Sequence, residues 1–419
     1  FSKRLGTSTW TTRDLTSHRI PALSMAALQR SRFLSASSVL RRHHVATGLR
    51  RGMGTMVMEA DEVDLDSIAH IDINPLLAEH AGHPIDPATK QQILAQIKTA
   101  SLEKGFFTIP TRGILPDDLI RQVYQRKTEF LALPRQVKMQ YHLKKVAHER
   151  GWTPLYEEPS STPGVLSRLE AFDVARDLPA SYSRFGALGP NVWPRELPAF
   201  KRDVNQLYDA TIPLSQTLFK SFAEMLGQPS NLFLQHSTEK AEAMMRLLTY
   251  PETDEPVKNS TVGICSHTDY ECFTILHQNG HGLQIFSHEG HWIKAPVSPD
   301  RLLVMVGDVL ERWTNGLLKA TPHRVVNTHK RRQSIARLNG VDGDTIIGPM
   351  APFVSASNPP RYPYITQREH IDNQVGFATQ TLEATKQKKA QETLTTSLPV
   401  DVMDQVTRGD DHREITTAV

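Results

Sequence analysis

"ICSHTDYECFTILHQ", residues 264–278, sets two short apolar runs on either side of a polar turn. Runs of this length, rich in Ile, Phe and Thr and closed off by turn residues, read as strands rather than helices. The same texture extends in both directions. From about 242 the chain reads "MMRLLTY", "TVGICSH", "FTILHQ", "LQIFS", "HWIKAP", "LLVMVGD", "HRVVNT" and "QSIARLN", separated by Gly, Pro, Asn and Asp. Eight or so short strands over roughly 100 residues predict a sandwich or barrel. A double-stranded β-helix, or jelly roll, is the closed form that limits exposed strand edges.

Upstream the periodicity changes. "HIDINPLL" (70–77) and "GFFTIP" (105–110) read as short strands. "DPATKQQILAQIKTASLEKG" (86–105) has Pro near its start and apolar residues at Ile93, Leu94, Ile97 and Leu102, the pattern of a helix with one buried face. "PDDLIRQVYQRKTEFLALP" predicts a second helix stopped before Pro134. "LPAFKRDVNQLYDATIPLSQTLFKSFAEMLG" predicts a long third one ending near Gly227. Between about 145 and 200, frequent Pro, Gly and Ser predict long loops that could wall a pocket. The expected fold is therefore mainly β with flanking helices: a jelly-roll core behind an α/β N-terminal region. The expected divisions are a basic extension at 1–58, an N-terminal region at 69–200, a β domain at 242–356, and a C-terminal helix and polar tail at 375–419.

Charge narrows the partners. The net charge is +3, but residues 1–58 hold ten Lys or Arg against Asp14 alone, which is +9; the remainder is then 3 − 9 = −6. A mildly acidic body argues against nucleic acid as a partner. No apolar run approaches the roughly 20 residues of a membrane span. The Arg- and Ser-rich start has the composition of a mitochondrial transit peptide (residues 1–52) or of a disordered extension. Two cysteines, Cys265 and Cys272, cannot frame a disulfide-rich fold, and free thiols suit a reducing, cytoplasmic setting. A monomer acting on a small molecule is expected.

His267-Thr268-Asp269 is one of three His-x-Asp triplets; the others are His70-Ile71-Asp72 and His370-Ile371-Asp372. Spacing i, i+2 on an extended segment puts both side chains on one face. Only the 267 triplet lies among the predicted strands, and only it has a later strand-borne histidine, His323 in "ATPHRVV". Two His and one carboxylate occupy one face of an octahedral Fe(II) and leave positions open. Nine residues beyond His323, Arg332 and Ser334 share a strand face, and Tyr250 could add a donor. A guanidinium beside a hydroxyl can clamp a carboxylate, such as the far end of 2-oxoglutarate. The plainer reading of Arg332 is one more cation on a solvated edge with Lys330, Arg331 and Arg337.

From Met244 to Pro363 the chain closely resembles the catalytic domain of the isopenicillin N synthase-like iron(II)/2-oxoglutarate oxygenases. The matching motifs are "RLLTYP", "SHTDYECFTILHQ", "GLQIF", "GHWIKAP", "VMVGDVLERWTNG", "KATPHRVVN", "RRQSIA", "DTII" and "PPRYP". "IDINPLL", "GFFTIP", "FLALPRQVK", "ERGWTP", "EAFDVA" and "PNVWP" extend the resemblance through the N-terminal region, so it covers roughly 70–375. The resemblance implies that His267, Asp269 and His323 ligate Fe(II), and that Arg332, Ser334 and Tyr250 hold 2-oxoglutarate. It implies that O2 and 2-oxoglutarate are consumed, with succinate and CO2 released, as a small molecule is hydroxylated or desaturated. An iron oxidase that needs no 2-oxoglutarate, of the isopenicillin N synthase or aminocyclopropane-carboxylate oxidase type, is the nearest alternative. A zinc hydrolase and a non-catalytic jelly-roll binding protein are the others. One departure stands out. The Arg-x-Ser strand continues as "SIARLNG", so Arg337 and Asn339 occupy positions where the family commonly has bulky aromatics, with altered packing expected close to the substrate. His277, His281, His288 and His291 read as solvated loop residues, both cysteines as buried inert thiols, and Asp308 as a turn-orienting residue.

Overall fold

The computed structural model describes residues 60–116, 118–185, 187–253 and 261–397. The basic extension at 1–58 and the end of the polar tail therefore lie outside the described residues, as does the reading of 1–52 as a transit peptide.

Thirteen strands are present among the described residues. They are β1 (Phe106–Pro110), β2 (Gly151–Thr153), β3 (Leu166–Ser167), β4 (Glu170–Ala175), β5 (Met244–Tyr250), β6 (Thr261–Val262), β7 (Ile264–His267), β8 (Phe273–Gln278), β9 (Leu283–Phe286), β10 (Trp292–Lys294), β11 (Arg301–Val306), β12 (His323–Val325) and β13 (Arg332–Asn339). Seven form one sheet in the order β1-β11-β8-β13-β5-β4-β2, and four form a second in the order β10-β9-β12-β7. The pairing within both sheets is antiparallel. The larger helices are α1 (Asn74–His80), α2 (Pro87–Glu103), α3 (Leu119–Ala132), α4 (Pro198–Glu224), α5 (Asp308–Trp313) and α6 (Gln367–Ser397).

The strand period sorts side chains into two cores. Residues of one parity on the large sheet (Phe172, Met245, Leu247, Ile275, Val304 and Ile335) pack with the helices. Those of the other parity (Ala171, Leu248, Tyr250, Leu276, Met305 and Ala336) meet Leu283, Ile285, Ile293 and Val325 of the small sheet. The expected mainly-β fold with flanking helices is what these two layers make. Helix α4 runs along the outer face despite Pro213 in its interior. Its Phe219 and Phe222 rings lie 4.8 and 5.2 Å from Phe273 of β8.

Three local expectations need correction. Residues 70–77 are not a strand: His70 makes a single bridge to Thr108, and Asn74 opens α1 because Pro75 suits a helix's first turn. The segment 145–200 is not all loop. "EAFDVA" contains no breaker, and β4 pairs along β5 from Glu170↔Thr249 to Ala175↔Met244, with β2 on its far edge. Arg337 and Asn339 do not face the space between the sheets: they point outward against α4, where Arg337 stacks on Tyr208 and Asn339 bonds Ser215.

Phe273 is fully buried at the centre of this aromatic contact, so Phe273→Ala should cost about 3–5 kcal/mol. Phe377→Ala, at a position 55% exposed on α6, should change stability by less than about 0.5 kcal/mol. Urea unfolding of the two variants against the wild type measures the difference.

Candidate active site

Pairing of β12 with β7 places His323 directly across from His267, with ring centroids 4.3 Å apart. Each imidazole is tied back by its Nδ1: His267 to the Cys265 carbonyl at 2.8 Å and His323 to the Thr321 carbonyl at 3.0 Å. Carbonyls only accept, so each Nδ1 carries the proton and each Nε2 keeps its lone pair. Asp269 sits in the turn just after β7. Its Oδ2 accepts the Thr274 hydroxyl, and its Oδ1 lies 3.8 Å from both Nε2 atoms. The three ligand atoms lie within 4.8 Å of one another, and no other group of three His, Cys, Asp or Glu is so gathered among the described residues. Burial first, and the neighbouring His323 second, lower the His267 pKa from 6.5 to about 4 against the pull of Asp269. A neutral imidazole is the state a metal requires. The other two His-x-Asp triplets serve structure. His70 bonds Thr108, Asp72 accepts the Asn74 amide, and His370 bonds Asp308 at 3.0 Å.

The second cluster lies on the large sheet, across the same cavity. Arg332 is 1% exposed, and its guanidinium carbon lies 4.4 Å from the centre of the Tyr250 ring, its register partner on β5. Nε donates to the Gly280 carbonyl and Nη2 to Gln278 Oε1. Nη1 is buried with no partner, as is the Ser334 hydroxyl two residues on. Burial lowers the Arg332 pKa and raises that of Tyr250, so the phenol stays a donor. A buried cation with orphaned donors beside it lacks an anion. A carboxylate fits that deficit, as a metal cation fits the two-His, one-carboxylate set opposite. Arg332 is thus no solvated-edge cation.

Both clusters open into one cavity of about 290 Å³. Leu276, Leu283, Met305 and Val325 line it, and Ile371, Val375 and Ala378 of α6 wall one side. Several of its charged residues escaped notice in the sequence. Arg246 faces the cavity four residues before Tyr250, and its guanidinium is held by Glu158 at 2.7 and 2.8 Å and by Asp173 at 3.0 and 3.2 Å. Its strand parity with Tyr250 was the available signal. Glu271, also lining the cavity, has its pKa pushed up to about 8 by burial and by Asp269 and Asp308. His277 is buried on β8 and bonds Tyr124 at 2.8 Å, so it is not a loop residue. His281, His288 and His291 are exposed, and both cysteines are buried and free.

Residues 241–339 match the 2OG-Fe(II) oxygenase superfamily, and residues 68–196 match the family described as "non-haem dioxygenase in morphine synthesis N-terminal". The 2-oxoglutarate-dependent dioxygenase caaD of Aspergillus niger is 34% identical over 58% of this chain and 76% of its own length. The homoarginine-6-hydroxylase 2-ODD-C23 of Glycine max is 30% identical over 70% of this chain and 92% of its own. The fold is shared with full-length Neurospora crassa T7H, solved in complex with alpha-KG, at 24% identity and a TM-score of 0.64 over 76% of this chain and 99% of that one. The chain belongs to the 2OG-Fe(II) oxygenase superfamily. It is an oxidoreductase, a dioxygenase that uses Fe(II), 2-oxoglutarate and O2, which sets aside the 2-oxoglutarate-independent oxidase, the zinc hydrolase and the non-catalytic binding protein. No helix among the described residues is long and apolar enough to cross a membrane.

The lowered His267 pKa has a consequence for the metal-free protein. Between pH 6.5 and about 4 the unfolded chain holds a proton on this ring that the folded chain does not. Its contribution to stability is complete above that window and is lost as pH falls through it. Urea midpoints of the metal-free wild type and His267→Gln, taken near pH 7 and near pH 5, check the sign. The wild type should lose more on acidification than the variant, and equal losses would contradict it.

Proposed function

We propose that His267, Asp269 and His323 are the protein ligands of Fe(II), that Arg332, Ser334 and Tyr250 seat the far carboxylate of 2-oxoglutarate, and that the chain hydroxylates a small molecule in the remaining cavity. The observation that carries this reading is the pairing of two complementary clusters in one cavity: three metal-ligating atoms within 4.8 Å of one another, and buried donors with no protein acceptor.

Bound there, the iron would supply O2 activation coupled to oxidative decarboxylation of 2-oxoglutarate to succinate and CO2. The protein's own residues set the conditions. The Cys265 and Thr321 carbonyls fix the imidazole tautomers, and the Thr274 hydroxyl occupies one Asp269 oxygen so that the other faces inward. Arg332 and Ser334 fix the orientation of the co-substrate through its far end. Leu276, Leu283, Met305 and Val325 keep water from the space between the clusters.

A cavity of about 290 Å³ must hold 2-oxoglutarate as well as the substrate, so the substrate is small. Hydroxylation is the expected outcome, with desaturation the variant. The name of the Glycine max relative suggests basic amino acids among the first compounds to try. Nucleic acid is disfavoured by the net charge of −6 on the chain beyond residue 58. Every proposed site residue comes from one chain, so a monomer suffices. Two buried free thiols suit the cytoplasm; a mitochondrial address would rest on residues 1–52.

Succinate release under O2, Fe(II) and 2-oxoglutarate, screened against small amines, amino acids and neutral ring compounds, tests the activity. His267→Gln and Asp269→Asn should abolish release. Arg332→Gln should raise the KM for 2-oxoglutarate on the order of 10²-fold, since it removes one partner of a buried charged pair. Arg332→Lys should not restore it, because an ammonium cannot present the planar fork. An unchanged KM in Arg332→Gln would place the co-substrate elsewhere.

A further inference from the structure

Four arginines are buried among the described residues: Arg150, Arg312, Arg332 and Arg337. Arg150 donates to the Arg176, Ala187 and Gly189 carbonyls, and Arg312 to those of Ile347 and Pro363. Arg332 belongs to the co-substrate site. Arg337 has no such account. It is 4% exposed on the outer face of β13, with Ile335 beside it on the same face. Its guanidinium carbon lies 3.7 Å from the centre of the Tyr208 ring. Nε makes one long contact, 3.4 Å to Asn339 Oδ1, and Nη1 is buried without a partner. The exposed Asp209 of α4 attracts it, but least among the groups that act on its charge.

An uncompensated buried cation is costly, and proteins supply it with a counter-charge. The space beside Arg337 is shaped for one. A cleft of about 30 Å³ is lined by Arg337, Tyr208, Ser215, Gln216 and Thr238, and by a second guanidinium, Arg176, which follows β4. That volume suffices for a water or one small ion. Ser215 and Thr238 are already committed, to Asn339 and Asp342, which leaves the Gln216 amide and the two arginines as donors facing the cleft. Two like charges converging on one small cleft repel unless an anion lies between them. Burial lowers the Arg337 pKa against the pull of the Tyr208 hydroxyl, and Arg176 adds a smaller push in the same direction as burial.

We propose that Arg337 and Arg176 form an anion site, separate from the active-site cavity, that takes a small tetrahedral oxyanion of the phosphate or sulfate kind. Planar guanidiniums pair with two oxygens of such an ion at once, which a halide cannot offer. The site lies on the opposite face of β13 from Arg332 and Ser334, so its occupancy would stabilise the contact of α4 with the large sheet without entering the catalytic cavity.

Thermal unfolding of the full chain tests this, in saturating 2-oxoglutarate so that Arg332 is occupied, with phosphate or sulfate replacing chloride at constant ionic strength. The wild type should show a saturable rise in Tm of about 2 °C. Arg337→Met should show none, and without oxyanion it should melt no lower than the wild type, because its unpaired charge is gone. Arg176→Gln, at a half-buried position, should weaken the phosphate midpoint about tenfold. Absence of a rise in the wild type overturns the proposal. So does an equal rise in Arg337→Met, which would place the ion elsewhere. If Arg337→Met does not fold, an unchanged midpoint in Arg176→Gln overturns it.

Discussion

One cross-strand pair governs the site: His323 of β12 opposite His267 of β7. Fifty-six residues of chain separate them, and only the antiparallel register brings their rings to 4.3 Å. A slip of one residue would turn one imidazole to the other face of the small sheet. The register is held from outside the site. β9 pairs with the other edge of β12, matching His323 to Ile285, and Ile285 and Val325 are buried against the large sheet. Packing between the two sheets therefore positions the proposed ligands, and the Cys265 and Thr321 carbonyls then aim them.

Charge is the second constraint. Arg246 and Arg332 face the same cavity from neighbouring strands, with opposite fates. Burial disfavours the charge on Arg246, yet Asp173 and Glu158 raise its pKa well above the ordinary value. Arg332 has no carboxylate, and burial pulls it down. The first is a closed ion-pair network that ties β4 to β5 across the sheet. The second is open, and an incoming dicarboxylate can close it. That contrast separates structural charge from binding charge within one cavity, and Arg337 repeats the open pattern on the outer face.

Much of this was legible in the sequence because the relevant period is short. Alternation and turn residues marked the strands after 242 almost one by one, and the spacing of His267, Asp269, His323, Arg332 and Ser334 singled out the residues proposed for the site. Long-range partners left less of a trace. Thr274, which holds the spare Asp269 oxygen, looks like any strand threonine. Glu158 and Asp173 sit in a Pro- and Ser-rich stretch whose composition suggested loop. β4 was hidden there because six strand residues are outweighed by the breakers around them. Arg337 was visible as a departure, but its direction depends on counting strand parity from Arg332. That count places it away from the substrate rather than near it.

The proposed three-residue metal site is tested most directly by anaerobic calorimetric titration of Fe(II) into metal-free protein. The wild type should bind one Fe(II) per chain, and Asp269→Ala, which removes the carboxylate shared by both imidazoles, should bind none with comparable affinity. One tightly bound Fe(II) per chain in Asp269→Ala would contradict it.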